Sequence, residues 1–82
     1  MFWYVYIAQC QDNTLYTGIT TDIKRREWEH NNNDRLGAKS LRNKRPVRII
    51  YYEKYNTQSE ARKREIEIKS RKRKYKLKLI LQ

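Results

Sequence analysis

The sequence predicts a small α/β fold of the α+β type, a three-stranded antiparallel sheet flanked by helices in the order β-β-α-β-α. Aromatic and β-branched residues gather in three short runs, and turn chemistry separates the first two. Two further stretches space their apolar residues at helical intervals behind Thr, Ser or Asp caps. With 82 residues, 38% hydrophobic and 35% charged, the chain can bury one modest core, so residues 1–82 read as one domain.

The first run, Trp3 to Cys10, alternates aromatic and branched residues as strands prefer. Gln11, Asp12 and Asn13 supply a turn, and Leu15 to Thr20 returns as the second strand. The stretch "TTDIKRREWEHNN" reads as a helix capped by Thr21 or Asp22 and ended by Asn31 to Asn33. Asp34 to Arg45 is polar, basic and poorly patterned, a loop with a short helical turn. Pro46 opens the third strand, "PVRIIYYEKY", because proline is tolerated at a strand start. Thr57 or Ser59 then caps a long helix that breaks near Ser70. The apolar N-terminus lacks a basic leader and a small-residue cleavage site and is too short to span a bilayer. The single cysteine, Cys10, cannot form an internal disulfide and reads as a small half-buried strand residue. Both features suggest a cytoplasmic protein.

Charge points to the class of partner. Twenty Lys and Arg stand against nine Asp and Glu, a net charge of +11 that attracts polyanions. Nucleic acid is the leading partner and an anionic membrane surface the second. The cations form two groups: a loop with Lys39, Arg42, Lys44 and Arg45, and a helix end with Lys69, Arg71, Lys72, Arg73 and Lys74. The helix macrodipole accounts for part of the second group, and phosphate contact accounts better for the surplus. No CxxC, HExxH or GxxxxGK[ST] spacing occurs, so those metal and nucleotide sites are not indicated.

Several positions conflict with plain packing. At 100° per residue Glu65 shares a stripe with Ala61 and Ile68, so a carboxylate faces the sheet. It needs a metal or a partner such as Lys69 or a sheet-side arginine. On the first helix Ile23, Arg26, Glu27 and His30 share a face, with Lys24, Arg25 and Glu29 pointing away. Arg26 can equally snorkel along the sheet, His30 can be a packed or surface residue, and Trp28 is expected under a loop more than on a base. Tyr51, Tyr52 and Tyr55 read as half-buried strand residues. Gly18, one of only two glycines, lies on the strand face of Tyr16. It either opens space beside that hydroxyl or marks a bulge or tight contact.

Tyr4-Val5-Tyr6, ten residues, then Tyr16-Thr17-Gly18 resembles the paired motif of the GIY-YIG nucleases. Arg26 eight residues on, His30 one turn later and Glu65 within "SEARKRE" extend the likeness over nearly the whole chain, closest to the small stand-alone bacterial YhbQ-like members. The resemblance implies a metal-dependent endonuclease acting on DNA, plausibly in repair or DNA processing, with one divalent ion, Mg²⁺ or Mn²⁺, held by Glu65. It further implies that Arg26 binds the phosphate and that Tyr6 or Tyr16, its pKa lowered by Arg26 and the metal, takes a proton from water. His30 would relay that proton or touch phosphate, and Gly18 would keep the sheet face clear for the scissile group. Ile19 stands where some members have lysine, and no asparagine follows Asn56, so the Arg71 to Lys74 run is the substitute for phosphate binding. Relatives usually carry a separate DNA-binding domain. Substrate choice is therefore expected from the basic loop, the basic helix end or a partner protein. The alternatives are a non-catalytic nucleic-acid-binding module of the same fold and a basic RNA-associated protein.

Shared catalysis by two tyrosines makes a geometric demand. A two-residue turn at Asp12-Asn13 would send Tyr6 and Tyr16 to opposite faces, so an odd-length connection or a bulge is predicted.

Overall fold

The computed structural model describes residues 1–82 and bears out the expected architecture. Its elements are β1 (Trp3–Gln9), β2 (Leu15–Thr20), α1 (Ile23–Asn32), a 3₁₀ turn (Lys39–Lys44), β3 (Arg48–Tyr55), α2 (Gln58–Lys69) and α3 (Arg73–Ile80). The sheet order is β2-β1-β3 and both pairings are antiparallel. As the central strand β1 is covered on both faces, which is why Val5, Tyr6, Ile7 and Ala8 are all buried.

The connection between β1 and β2 is odd, running from Cys10 to Thr14. Asn13 takes a left-handed conformation, φ 69°, which asparagine tolerates. The Asp12 carboxylate accepts from the Thr14 N–H and hydroxyl, closing the turn. The resulting register pairs Tyr6 with Gly18 and Ala8 with Tyr16. Directly paired residues share a face, so Tyr6 and Tyr16 lie on the same side, as predicted.

Each face has its own core. Val5 and Ile7 pack with Ala61, Ile68 and Leu79 on the side covered by α2 and α3. Tyr6, Ala8 and Cys10 pack with Leu41 and Val47 on the side covered by α1 and the 3₁₀ turn. Asp22 caps α1 by accepting the Arg25 N–H at 3.0 Å. Thr57 caps α2: its hydroxyl accepts the Glu60 N–H and donates to the Glu60 carboxylate. The break near Ser70 is present: Ser70 ends α2 and α3 restarts after Lys72.

Two local expectations are corrected. The third strand starts at Arg48, not Pro46, because the Asn31 side chain takes both backbone groups of Val47, at 2.7 and 2.8 Å. Tyr51 and Tyr55 are half-buried, but Tyr52 is 57% exposed on the edge strand.

A polar cluster ties the α2 layer to the sheet. Glu53 accepts from the Tyr51 and Tyr55 hydroxyls and from Arg64 Nε and Nη2. Arg64 also reaches Glu67 and the Tyr75 hydroxyl on α3. Burial pushes the Glu53 carboxyl up, but the hydrogen bonds from Arg64 and the two tyrosines hold it below its ordinary range.

Candidate active site

The Tyr6 ring crosses from β1 over β2 and lies on Gly18. A Cβ at position 18 would fall 2.6 Å from Tyr6 Oη and 2.8 Å from Cζ. The glycine is therefore a tight contact. The space expected to stay clear for a phosphate is filled by Tyr6, which corrects the role inferred for Gly18.

Tyr6 Oη lies 2.7 Å from His30 Nε2. On the other side of the ring, His30 Nδ1 accepts the Ala38 backbone N–H at 3.2 Å. A neutral imidazole whose Nδ1 is an acceptor carries its proton on Nε2, so His30 donates to the Tyr6 oxygen. Burial, reinforced by the Arg26 charge, pushes His30 down to about 4, so it is neutral at physiological pH. His30 is also only 1% exposed, so its expected contact with phosphate is corrected: the ring orients Tyr6 from beneath.

Tyr16 stands edge-on to His30, ring centroids 5.5 Å apart, and 6.3 Å from the Tyr6 ring. It is half-buried, whereas Tyr6 is buried. Arg26 does not merely snorkel. Its Nη1 donates to Glu29 at 2.9 Å and to the Leu36 carbonyl, which holds the guanidinium beside Tyr6. Glu29 was expected to point away. It is instead 12% exposed and also pairs with Arg25 at 3.5 Å, because the i+3 step brings it onto Arg26. Burial raises Tyr6 above its ordinary value against the pull of Arg26, so the protein by itself does not lower this phenol as expected.

Glu65 approaches from α2, its side chain 13% exposed, and pairs with Lys69 at 3.3 Å. The Lys69 ammonium also lies 5.9 Å from the Tyr16 ring centroid, so this pair borders the tyrosines. The Glu65 charge adds to the upward push on Tyr6. No group of three or more His, Cys, Asp or Glu gathers anywhere in the chain. The donor set is thus one carboxylate, which suits a hard cation that keeps its waters and completes its shell on phosphate.

The basic loop is largely committed within the chain. Arg42 and Arg45 pair with Asp34 at 3.9 and 2.9 Å, Arg45 Nε also holds the His30 carbonyl, and Lys44 pairs with Asp12 at 3.7 Å. Lys39 is exposed and in no ion pair. The helix-end cations are freer: Arg71, Lys72, Arg73 and Lys74 are exposed. Arg71, Lys72 and Lys74 line a cleft of about 360 Å³ with Ser70, Tyr75 and Lys78, and no acid faces it. The sequence reading missed Lys76, which is half-buried and pushed down by burial and by the nearby charges of Lys69 and Arg73. Its signal was the i+3 spacing from Arg73. Trp28 is 57% exposed rather than packed under a loop.

The profile of the GIY-YIG catalytic domain matches residues 2–78. A UPF0213 protein of Desulfotalea psychrophila is 56% identical over 63 residues, covering 77% of this chain and 56% of that protein. A UPF0213 protein of Staphylococcus saprophyticus is 51% identical over 62 residues, 76% of this chain and 73% of its own length. The chain thus spans little more than half the length of the first relative. Among solved structures, the solution NMR structure of a UPF0213 protein from Bacillus halodurans covers 98% of this chain and 83% of its own, with 38% identity and a TM-score of 0.61. No helix is long and apolar enough to cross a membrane.

Proposed function

The chain belongs to the GIY-YIG family, and from that membership we propose that it is a divalent-metal-dependent endonuclease hydrolysing DNA phosphodiester bonds, in repair or processing of DNA. The observation that carries the reading is the convergence of Tyr6, Tyr16, His30, Arg26 and Glu65 from β1, β2, α1 and α2 on one edge of the sheet, with cations beyond it.

Tyr16 is the assigned proton acceptor because it is the more accessible phenol and its hydroxyl is not held by His30. Tyr6, fixed by the His30 Nε2–H and by its seat on Gly18, orients the attacking water. Arg26 offers its remaining guanidinium donors to the phosphate, where a planar fork stabilises developing negative charge. Lys69 and Lys76 hold the flanking backbone. Glu65 would hold the metal, whose chemistry there is charge stabilisation on the phosphate or leaving oxygen. Lys69 must then leave Glu65, and a neighbouring phosphate is the natural acceptor for its ammonium.

The test is cleavage of labelled single-stranded, duplex, nicked, flap and branched DNA, and of RNA, with Mg²⁺ or Mn²⁺. Glu65→Ala should cost at least ~100-fold in rate while DNA binding holds or tightens, since a negative charge near phosphate is removed. Cutting that survives this substitution overturns the assignment. Salt-sensitive binding without any cutting would instead support a binding module, a reading to which the Lys69 ammonium already seated on Glu65 lends weight.

A further inference from the structure

One aromatic cluster of the site face has no part in the chemistry above. Tyr52 is the direct register partner of Tyr6 on β3, and Tyr4 lies two residues before Tyr6 on β1, so all three share a face. The Tyr4 and Tyr52 rings meet edge-to-face, centroids 5.6 Å apart. With Ile23, Lys24, Thr21 and Asp22 at the start of α1 they line an open cleft of about 440 Å³, within the range of small-ligand sites. Tyr52 keeps 57% of its surface in solvent. The pair adds a modest edge-to-face contact to the sheet, and most of the Tyr52 ring remains open to a ligand.

We propose that this cleft is a nucleobase-stacking subsite and that it takes an unpaired base from the nucleotide next to the phosphate at Arg26. The inference rests on the nuclease reading and names the form of its substrate. A π face attracts any base, and a base can reach it only when it is not paired within a duplex. Charge favours the same occupant. The first turn of α1 holds no acid and carries Lys24 and Arg25, and Lys54, the partner of Tyr4 in register, sets its ammonium over the Phe2 ring at 3.8 Å. The one carboxylate present, Asp22, is committed to capping α1. Continuity with the site is built into the sheet, because Tyr6 and Tyr52 are adjacent across the ladder.

The experiment measures binding without divalent ions, so that no cleavage occurs. A labelled single-stranded oligonucleotide, its abasic counterpart and the same sequence as duplex are titrated against the native chain, Tyr52→Leu and Tyr52→Trp. Tyr52→Leu should weaken single-strand binding about 10-fold, leave duplex binding and the salt slope unchanged, and bind the abasic strand as the native chain does. Tyr52→Trp should restore single-strand affinity, which a merely structural tyrosine would not predict. Equal effects of Tyr52→Leu on single strand and duplex, or none on either, overturn the stacking subsite and leave the nuclease reading to its cleavage assay. Failure to bind any of the three nucleic acids overturns both.

Discussion

Each face of the sheet carries an arginine, a carboxylate and tyrosines, and the two clusters are finished differently. On the α2 side Glu53 takes four hydrogen bonds, from Tyr51, Tyr55 and twice from Arg64, while Arg64 Nη1 donates to both Glu67 and Tyr75, so four of its five N–H groups are engaged. On the α1 side Arg26 is anchored through one nitrogen, to Glu29 and Leu36, with the rest of its guanidinium beside the Tyr6 hydroxyl that His30 holds. A cluster so nearly satisfied has little left to offer a ligand and acts as a clamp. An unsatisfied one beside solvent keeps donors for an anion. Residue type is nearly the same in both, so saturation, not composition, separates support from site.

That contrast predicts opposite responses to similar substitutions. The largest effect should come from Arg26→Lys, which keeps the charge but loses the planar fork. We expect cleavage to fall by about 10²- to 10³-fold with the urea midpoint nearly unchanged. A loss of stability as large as the loss of rate would mean that Arg26 is also a clamp. Arg64→Met should do the reverse. Removing Arg64 leaves the partly buried Glu53 charge with only the two tyrosine hydroxyls, for a cost of about 2–3 kcal/mol in chemical denaturation, with the folded fraction still competent to cut.

A third prediction uses protons. His30 sits at about 4 in the folded chain against an ordinary value near 6.5, so the unfolded chain takes up its proton first on acidification. Stability should therefore fall as pH drops from about 6.5 to about 4, by up to ~3 kcal/mol. Glu53, held low by its partners, adds its own loss as pH falls below its ordinary value of 4.5. His30→Gln should flatten the first part of this profile and leave the second. A profile unchanged by His30→Gln would place the acid sensitivity elsewhere.

The smallest effect expected is that of Gly18→Ala. The added methyl would meet the Tyr6 ring at 2.6 to 3.0 Å, so the ring must shift, at a cost of about 1–2 kcal/mol. Combining it with Tyr6→Phe removes the closest contact and should recover part of the loss in thermal denaturation. No recovery would mean that the strain is taken up by the backbone instead.

The site was legible in outline because its residues break local rules. Glu65 on the stripe of Ala61 and Ile68, and Arg26 with His30 beside Ile23, conflict with simple amphipathic packing, and a single sequence shows such conflicts. The same-face requirement for Tyr6 and Tyr16 was also available, since side chains alternate and the parity of a connection decides the rest. Gly18 was visible as an anomaly but its cause was not. The filler of its space is a ring twelve residues back, reached only through the register of β1 and β2. Glu29 and Trp28 were misplaced for a related reason: a helical wheel fixes angles about one axis and is silent on what stands beside the helix. The Arg64 clamp left no mark at all, because Glu53 and Arg64 meet across a turn between a strand and a helix.

By itself, then, the sequence determined the elements, their order, each helix cap to within two candidates (Thr21 or Asp22, Thr57 or Ser59), the break near Ser70 and the excess of positive charge. These depend on neighbours within a turn or on period, and short-range sterics and hydrogen bonding settle them. Only the tertiary structure decided which hydroxyl is buried, which nitrogen of His30 holds the proton, and which of two arginine clusters is closed. Those are questions of what lies within about 3 Å across chain separations of 8 to 24 residues. Packing of helices on a sheet answers them, and local preference does not reach that far.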